Sequence, residues 1–437
     1  MGLGLGLGTT VANVPYLQMT LPANFTSRWS PPMTFFESAG GQYLTDYDLT
    51  TLKPAIAKTY YCSRTGSSGA AGTSQGAPLD KLSTCLAKVD VDEVVIDCSD
   101  GVDWIMRNSF GWNNTQPSRS VSVRVIGPGR AISAATNSTA APTYVAVSGA
   151  IYKTTIAASS ASTVTDLIRV QDDGFYERLT FAGSQGAMAA GTCYHDGTDL
   201  FVWASDSRNL VGDPYMTLTG TNSNCRIPSA SQTTYIDGLH FVGGLPMNYV
   251  ATGAVDPLAV FLRCTFQGSH SSNANGTNGQ GPGRFYLYRC GAGRNHRDQF
   301  NYHGNANGDP KVLEWECYTG LGGYVGTSDN ASTSHENTAI IRLNGRYVQS
   351  LNRTVADIGD TRTMILGGFI GQARTVAAAN EDLAQQGTNL SWIGGVSIET
   401  GSNPQLAILN TATVAYRKMT APTRAGTGED VGTLTTW

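Results

Sequence analysis

From about residue 92 the chain repeats one short pattern: a run of alternating apolar and polar residues closed by Gly, Ser or Asn. Five runs illustrate it: YERLTFAGS (176–184), IDGLHFVGG (236–244), FLRCTFQGS (261–269), FYLYRCGAG (285–293) and VLEWECYTG (312–320). Aligned on Phe181, Phe241, Phe266, Cys290 and Cys317, the last three steps are 25, 24 and 27 residues, and the first is 60, room for a coil with a long insertion or for two coils. A period of this length fits three short strands joined by turns. One such coil cannot bury its own apolar face, whereas coils stacked about 4.8 Å apart build a continuous core. Later runs at 363–371, 390–398 and 405–416 continue the series. The pattern predicts roughly a dozen coils in a rod about 60 Å long. A sandwich or jelly roll would instead show strands every 8–12 residues without a longer period. Strict alternation, counted back from the cysteines, places Leu313, Trp315 and Cys317 inside with Glu314 and Glu316 outside. One coil earlier it places Tyr286, Tyr288 and Cys290 inside, with Leu287 and Arg289 outside.

Composition agrees with an all-β chain. Charged residues make up 14% of the 437, and glycine contributes 51, so turn formers outnumber helix formers. The 41% apolar share is enough for a substantial core. A net charge of −4 without a Lys/Arg run excludes a nucleic-acid footprint, and no apolar stretch is long enough for a membrane span. MGLGLGLGTT has no basic n-region, so no signal peptide is expected. The eight cysteines form no CxxC pair, and burial is expected for at least Cys264, Cys290 and Cys317.

Four segments follow: an extended N-terminal arm (1–57), an opening strand and capping helix (58–90), the coils (91–418) and a polar C-terminal tail (419–437). In the arm, GLGLGLG would give a strand with one leucine face and one bare backbone face, suited to docking on a sheet edge. Residues 60–88 read as a strand, a Gly/Ser loop and a Pro78-started helical segment. With Tyr61, Ser63, Gly66, Ser67, Gly72, Thr73 and Pro78 in place, this segment resembles the start of pectate-lyase-like proteins, whose fold is a right-handed parallel β-helix closed by a short capping helix. Ser68 stands where that family often has Asp.

Chemistry must then come from sites on the scaffold. Glycan hydrolysis needs two carboxylates some 5–9.5 Å apart. Candidate carboxylates are Asp172, Asp173, Asp298, Glu314, Glu316, Glu336 and Asp357. Glu314 with Glu316 has a suitable spacing along one strand, although Glu316 also falls over Arg289 of the preceding coil, an ordinary cross-strand ion pair. RNHRDQFNYH supplies His296, Asp298 and His303 for acid/base work or for a turn network. His296 and His303 lack a third ligand at metal-site spacing, so neither a metal nor a cofactor is expected. Aromatics that could stack on sugars are Tyr318, Tyr324, Tyr347 and Trp392.

A second resemblance covers about sixty residues. Phe300, Asn301, Tyr302 and His303, then Ser332, Thr333 and His335, then Val355, Ala356 and Asp357 match a run in β-helix proteins of bacteriophages and bacteria, with Gln299 and Glu336 departing from it. The chain is similar in these parts to tailspike-like proteins. That resemblance implies a virion protein, made in the host cytoplasm, forming a homotrimer, bound to other virion proteins through the arm and to a host surface polysaccharide. It would cleave the glycan as a depolymerase or serve as a non-enzymatic fibre. The catalytic candidates are Asp298, Glu314, Glu316 and His303; the substrate-binding candidates are His296, Tyr318, His335, Glu336 and Asp357.

Overall fold

The computed structural model describes residues 15–112, 115–157, 163–270, 274–322, 329–373, 381–399, 405–424 and 432–437. The arm's GLGLGLG strand and Tyr324 lie outside these residues. The chain is an all-β parallel β-helix of about 11 turns. Its walls are three parallel sheets of twelve, nine and eight strands. A typical coil runs from Pro310–Trp315 in the twelve-stranded sheet to Tyr318–Thr319 in the nine-stranded sheet, then to Ser332–His335 in the eight-stranded sheet. A short helix, Leu82–Leu86, buries Leu82, Cys85 and Leu86 against the first coils.

The corner between the twelve- and nine-stranded sheets decides which side chains face inward. A residue there has positive φ: Arg263 (54°), Arg289 (53°), Glu316 (51°) and Asn344 (52°) in successive coils, then Gly367, Gly395 and Lys418 in the later ones. Each donates its amide to the next coil, Arg289 to Trp315 O at 2.9 Å and Glu316 to Leu343 O at 2.8 Å, so the ladder continues through the bend. A left-handed residue reverses the alternation, and the side chains before it change phase relative to those after it. The expected facing is therefore corrected. Val312, Leu287, Cys290 and Cys317 lie in the interior core, whereas Leu313 and Tyr286 lie outside the coil, packed with arm residues. Glu314 points inward and is fully buried. The cysteine ladder is Cys264, Cys290 and Cys317, each thiol donating to a carbonyl of the preceding coil, and Phe266 stands opposite Ala292 rather than Cys290. All eight cysteines are free and buried.

The first segment is likewise not extended over its described part. Residues 16–52 fold back on the outer face of the twelve-stranded sheet, because Phe25, Trp29, Met33, Phe35 and Leu49 need an apolar partner. They find Tyr286, Leu313, Ile341, Met364 and Leu366, with Trp29 stacked on Tyr286 at 6.2 Å. Arg28 pairs with Asp360 (2.8 Å), and Glu37 pairs with Arg417 (3.0 Å) and Lys418 (3.1 Å). Trp392 meets Phe25 edge-on under the same cover.

One coil is interrupted. Ala131–Ala134 and Leu239–Val242 are ladder neighbours; between them the chain leaves to form one mixed and one antiparallel sheet, with their own core around Tyr144, Val164, Leu200 and Val202, and rejoins the coils at Ser223–Arg226. The run at 176–184 belongs to this insertion and not to a coil; Phe181 is exposed there. Phe175 docks the insertion on the nine-stranded sheet, over Gly293 and Gly320, where a Cβ would lie 2.6 Å and 2.5 Å from its ring.

Candidate functional site

The outer face of the eight-stranded sheet is built from Phe300–His303, Ser332–His335 and Val355–Ile358, which lie side by side in register. Phe300, Tyr302 and Val355 fill the core, so alternation turns Asn301, His303, Thr333, His335, Ala356 and Ile358 outward. The turn before each strand adds a polar residue: Asn275, then Arg297 and Asp298, then Asn330, then Asn352 and Arg353. Together with His303, His335, Ala356 and Ile358 these line a groove of about 280 Å³ crossing four coils. An outward amide ladder leads away from it, with Asn301 Nδ2 donating to Asn278 Oδ1 (3.3 Å) and Asn278 Nδ2 donating to Asn248 Oδ1 (2.9 Å).

Asp298 is the carboxylate of the groove lining. Its Oδ1 accepts from the Asn330 amide at 2.7 Å and from Asn330 Nδ2 at 3.0 Å. Burial raises its pKa to about 6, against the opposing pull of those hydrogen bonds and of Arg297 and His303. The group therefore changes charge near neutral pH, as a proton donor requires. Arg297 is exposed and makes no ion pair among the described residues, while Arg353 is held by Glu381 at 3.0 Å.

His303 and His335 stand opposite one another in neighbouring strands, their rings stacked at 4.1 Å and 11°. His303 Nδ1 lies 3.1 Å from Glu336 Oε2, and His335 Nε2 lies 3.1 Å from Thr333 Oγ1. Burial and the neighbouring His303 push the His335 pKa down to about 4, so this ring is neutral at pH 7. Chain spacing gave no metal-ligand set, but coil stacking brings His303, His335 and Glu336 together. His303 is 32 residues from His335 in the chain and adjacent to it in space.

The remaining candidates go elsewhere. Glu314 and Asp357 were candidates for catalysis and substrate binding; both are sealed inside the coil. There Arg342 donates to both Asp357 oxygens (3.0 and 2.9 Å), Tyr347 donates to Glu314 (2.7 Å), and Ser332 bridges Glu314 and Arg342. Burial raises the Glu314 pKa. Burial also opposes ionisation of Asp357, but Arg342, Ser334 and Gln385 outweigh it and hold its carboxyl below the ordinary value. Neither carboxylate can reach a polymer outside. Glu316 pairs with Arg289 at 2.6 Å on the opposite corner, so it and Glu314 do not form a carboxylate pair. Tyr318 packs on Phe175 (ring centroids 5.5 Å) under the insertion, and Tyr347 is interior, so neither offers a sugar platform. His296 is half-buried with its pKa lowered to about 4 by burial and by Arg178 of the insertion, and it does not line the groove. Asp173 is committed to Arg294 at 2.9 Å.

The sequence reading missed Arg297, Arg353, Asn275, Asn330 and Asn352. A usable signal existed: asparagine recurs shortly before three strands of this sheet, in SNANG, SDNAS and SLNRT. A larger cavity of about 580 Å³ lies beside the insertion, but among the described residues Arg107 is its one charged lining residue and no carboxylate or histidine lines it.

No protein-family model matches the chain, and no curated protein matches it in sequence. Among solved structures it is similar to XylC in complex with xylose, at 8% identity and a TM-score of 0.50 over 82% of this chain and 68% of that one. It is also similar to a glycoside hydrolase, at 7% identity and a TM-score of 0.51 over 87% of this chain and 96% of that one. At these identities the likeness is one of fold alone.

Proposed function

We propose that the protein binds a host surface polysaccharide in the groove across the eight-stranded sheet. The observation that carries this reading is the convergence of Asp298, Arg297, His303, His335 and three asparagines on one depression spanning successive coils. Amides repeated at the coil spacing suit a ligand that is itself a repeating chain of hydroxyls. Arg297, lacking a protein counterion among the described residues, favours sugars carrying a carboxylate. The two solved folds, one with xylose bound and one a glycoside hydrolase, are consistent with carbohydrate binding on such a scaffold.

Cleavage is the second reading, favoured by the raised pKa of Asp298, which would protonate a glycosidic oxygen. Hydrolysis also requires a second carboxylate, and among the described residues Asp298 is the carboxylate of the groove lining. Binding is therefore the primary activity. The test is incubation with host surface polysaccharides, reading retention and the release of reducing ends. Wild type should bind, and Arg297→Ala should weaken binding by about tenfold, the usual value of a charge-assisted contact. If cleavage occurs, Asp298→Asn should stop it without loss of binding. A protein that retains none of the host's glycans would overturn the reading in favour of a structural fibre.

The proposal extends to a tailspike-like, trimeric protein carried on a virion. Its support is that the Phe300–His303, Ser332–His335 and Val355–Asp357 resemblance falls on the three adjacent strands that line the groove. Light scattering should give three chains per particle in solution. Deletion of residues 1–12 should prevent incorporation into virions, and incorporation without them would end the docking idea.

A further inference from the structure

We propose that His303, His335 and Glu336 form a binding site for a divalent transition-metal ion, with zinc as the reference ion. One donor atom of each residue lies within 4.8 Å of those of the other two. Tetrahedral coordination at about 2.0–2.1 Å places neighbouring donors about 3.3 Å apart. The three must therefore close by roughly an ångström, a rotamer adjustment for half-exposed side chains. The backbone already sets the arrangement. His303 and His335 occupy matching positions of adjacent strands, which holds the rings near-parallel at 4.1 Å. Glu336 follows His335 with a φ of 52°, and its carboxylate returns to His303 Nδ1 at 3.1 Å. Gly304 makes room for it, since a Cβ at that position would stand 3.2 Å from the Glu336 Cβ.

The donor chemistry selects the ion. Two imidazole nitrogens and one carboxylate oxygen suit zinc, nickel or copper, whereas calcium and magnesium require mostly oxygen ligands. Thr333 engages His335 through Nε2, leaving Nδ1 as the nitrogen available to a cation, the outer-shell arrangement that orients a ligand histidine. Three protein ligands leave at least one position open, on the same face as Asp298 and Arg297. The inference stands independently of the glycan reading, because it concerns an ion and three side chains whether or not a sugar binds beside them.

Isothermal titration of the metal-stripped full chain with ZnCl2 tests it, with all eight cysteines buried and so not competing. One equivalent should bind. His303→Ala and His335→Ala should each weaken binding by at least about 100-fold, and Glu336→Gln and Thr333→Val by about tenfold. His195→Ala, in the insertion, should leave the titration unchanged. Cobalt added in place of zinc should give a visible absorption band in wild type and none in the histidine variants. Circular dichroism of each variant separates loss of the site from loss of fold. Wild-type binding no stronger than that of the His303→Ala/His335→Ala double variant would overturn the proposal and leave a stacked pair with a surface ion pair. Equal binding of calcium would overturn the ion class.

Discussion

Replacing Asp298 by Asn should make the protein more stable at neutral pH. The folded carboxyl titrates at about 6, against an ordinary 3.8, because burial raises it more than Asn330 and Arg297 lower it. The folded state therefore holds the Asp298 proton more tightly than the unfolded chain does. Stability from this proton is fully present below about pH 4 and is lost as pH rises through about 6. Two pKa units at about 1.4 kcal/mol each give a cost near 3 kcal/mol for the ionised form at pH 7.5. Asparagine is nearly isosteric, stays neutral, and keeps an Oδ1 to accept from the Asn330 amide and Nδ2. The expected gain is thus about 2 kcal/mol at pH 7.5, falling to nearly zero at pH 4. Guanidinium midpoints of wild type and Asp298→Asn at both pH values measure it. An equal shift at pH 4 and 7.5, or a loss of stability at pH 7.5, would refute the reasoning. A stabilising change that abolishes cleavage would identify Asp298 as a group retained for function at a cost in stability.

Three further changes probe the frame. Arg342→Met leaves Glu314 and Asp357 buried without their cation and should cost about 3–5 kcal/mol, read from the denaturation midpoint. Adding Glu314→Gln and Asp357→Asn should recover most of that loss; no recovery would mean that packing and not charge sets the cost. Trp29→Ala removes a 4%-exposed ring from the arm's contact with Tyr286 and should cost about 3–5 kcal/mol, with proteolysis between residues 16 and 52 as the early sign. Gly320→Ala drives a methyl to within 2.5 Å of the Phe175 ring and should loosen the insertion, about 1–3 kcal/mol by unfolding and visible as faster amide exchange across 163–219.

The coil and its period were legible because stacking forces the same apolar positions to recur at each turn, as Cys264, Cys290 and Cys317 do. The facing of the strands was not. Arg289 and Glu316 are left-handed corner residues that no glycine announces, so alternation counted back from Cys317 carried Glu314 to the wrong side. The 60-residue gap before Phe241 did contain an insertion, but YERLTFAGS has the alternation of a coil strand and passed for one. At the site, Asp298, His303, His335 and Glu336 were nameable from their chemistry. Their convergence was not, because residues 33 apart become neighbours only once the coil length is known at that turn. The arginines and asparagines of the groove were missed for the opposite reason: each is unremarked alone and informative only as a repeat.

The location of the groove is tested most directly by amide hydrogen exchange with and without a polysaccharide that the protein retains. Protection should concentrate in 297–303, 330–335 and 352–358, the turns and strands that carry Asp298, Asn330 and Arg353. Protection confined to the insertion, around Thr136 and Thr154 beside its larger cavity, would contradict the account.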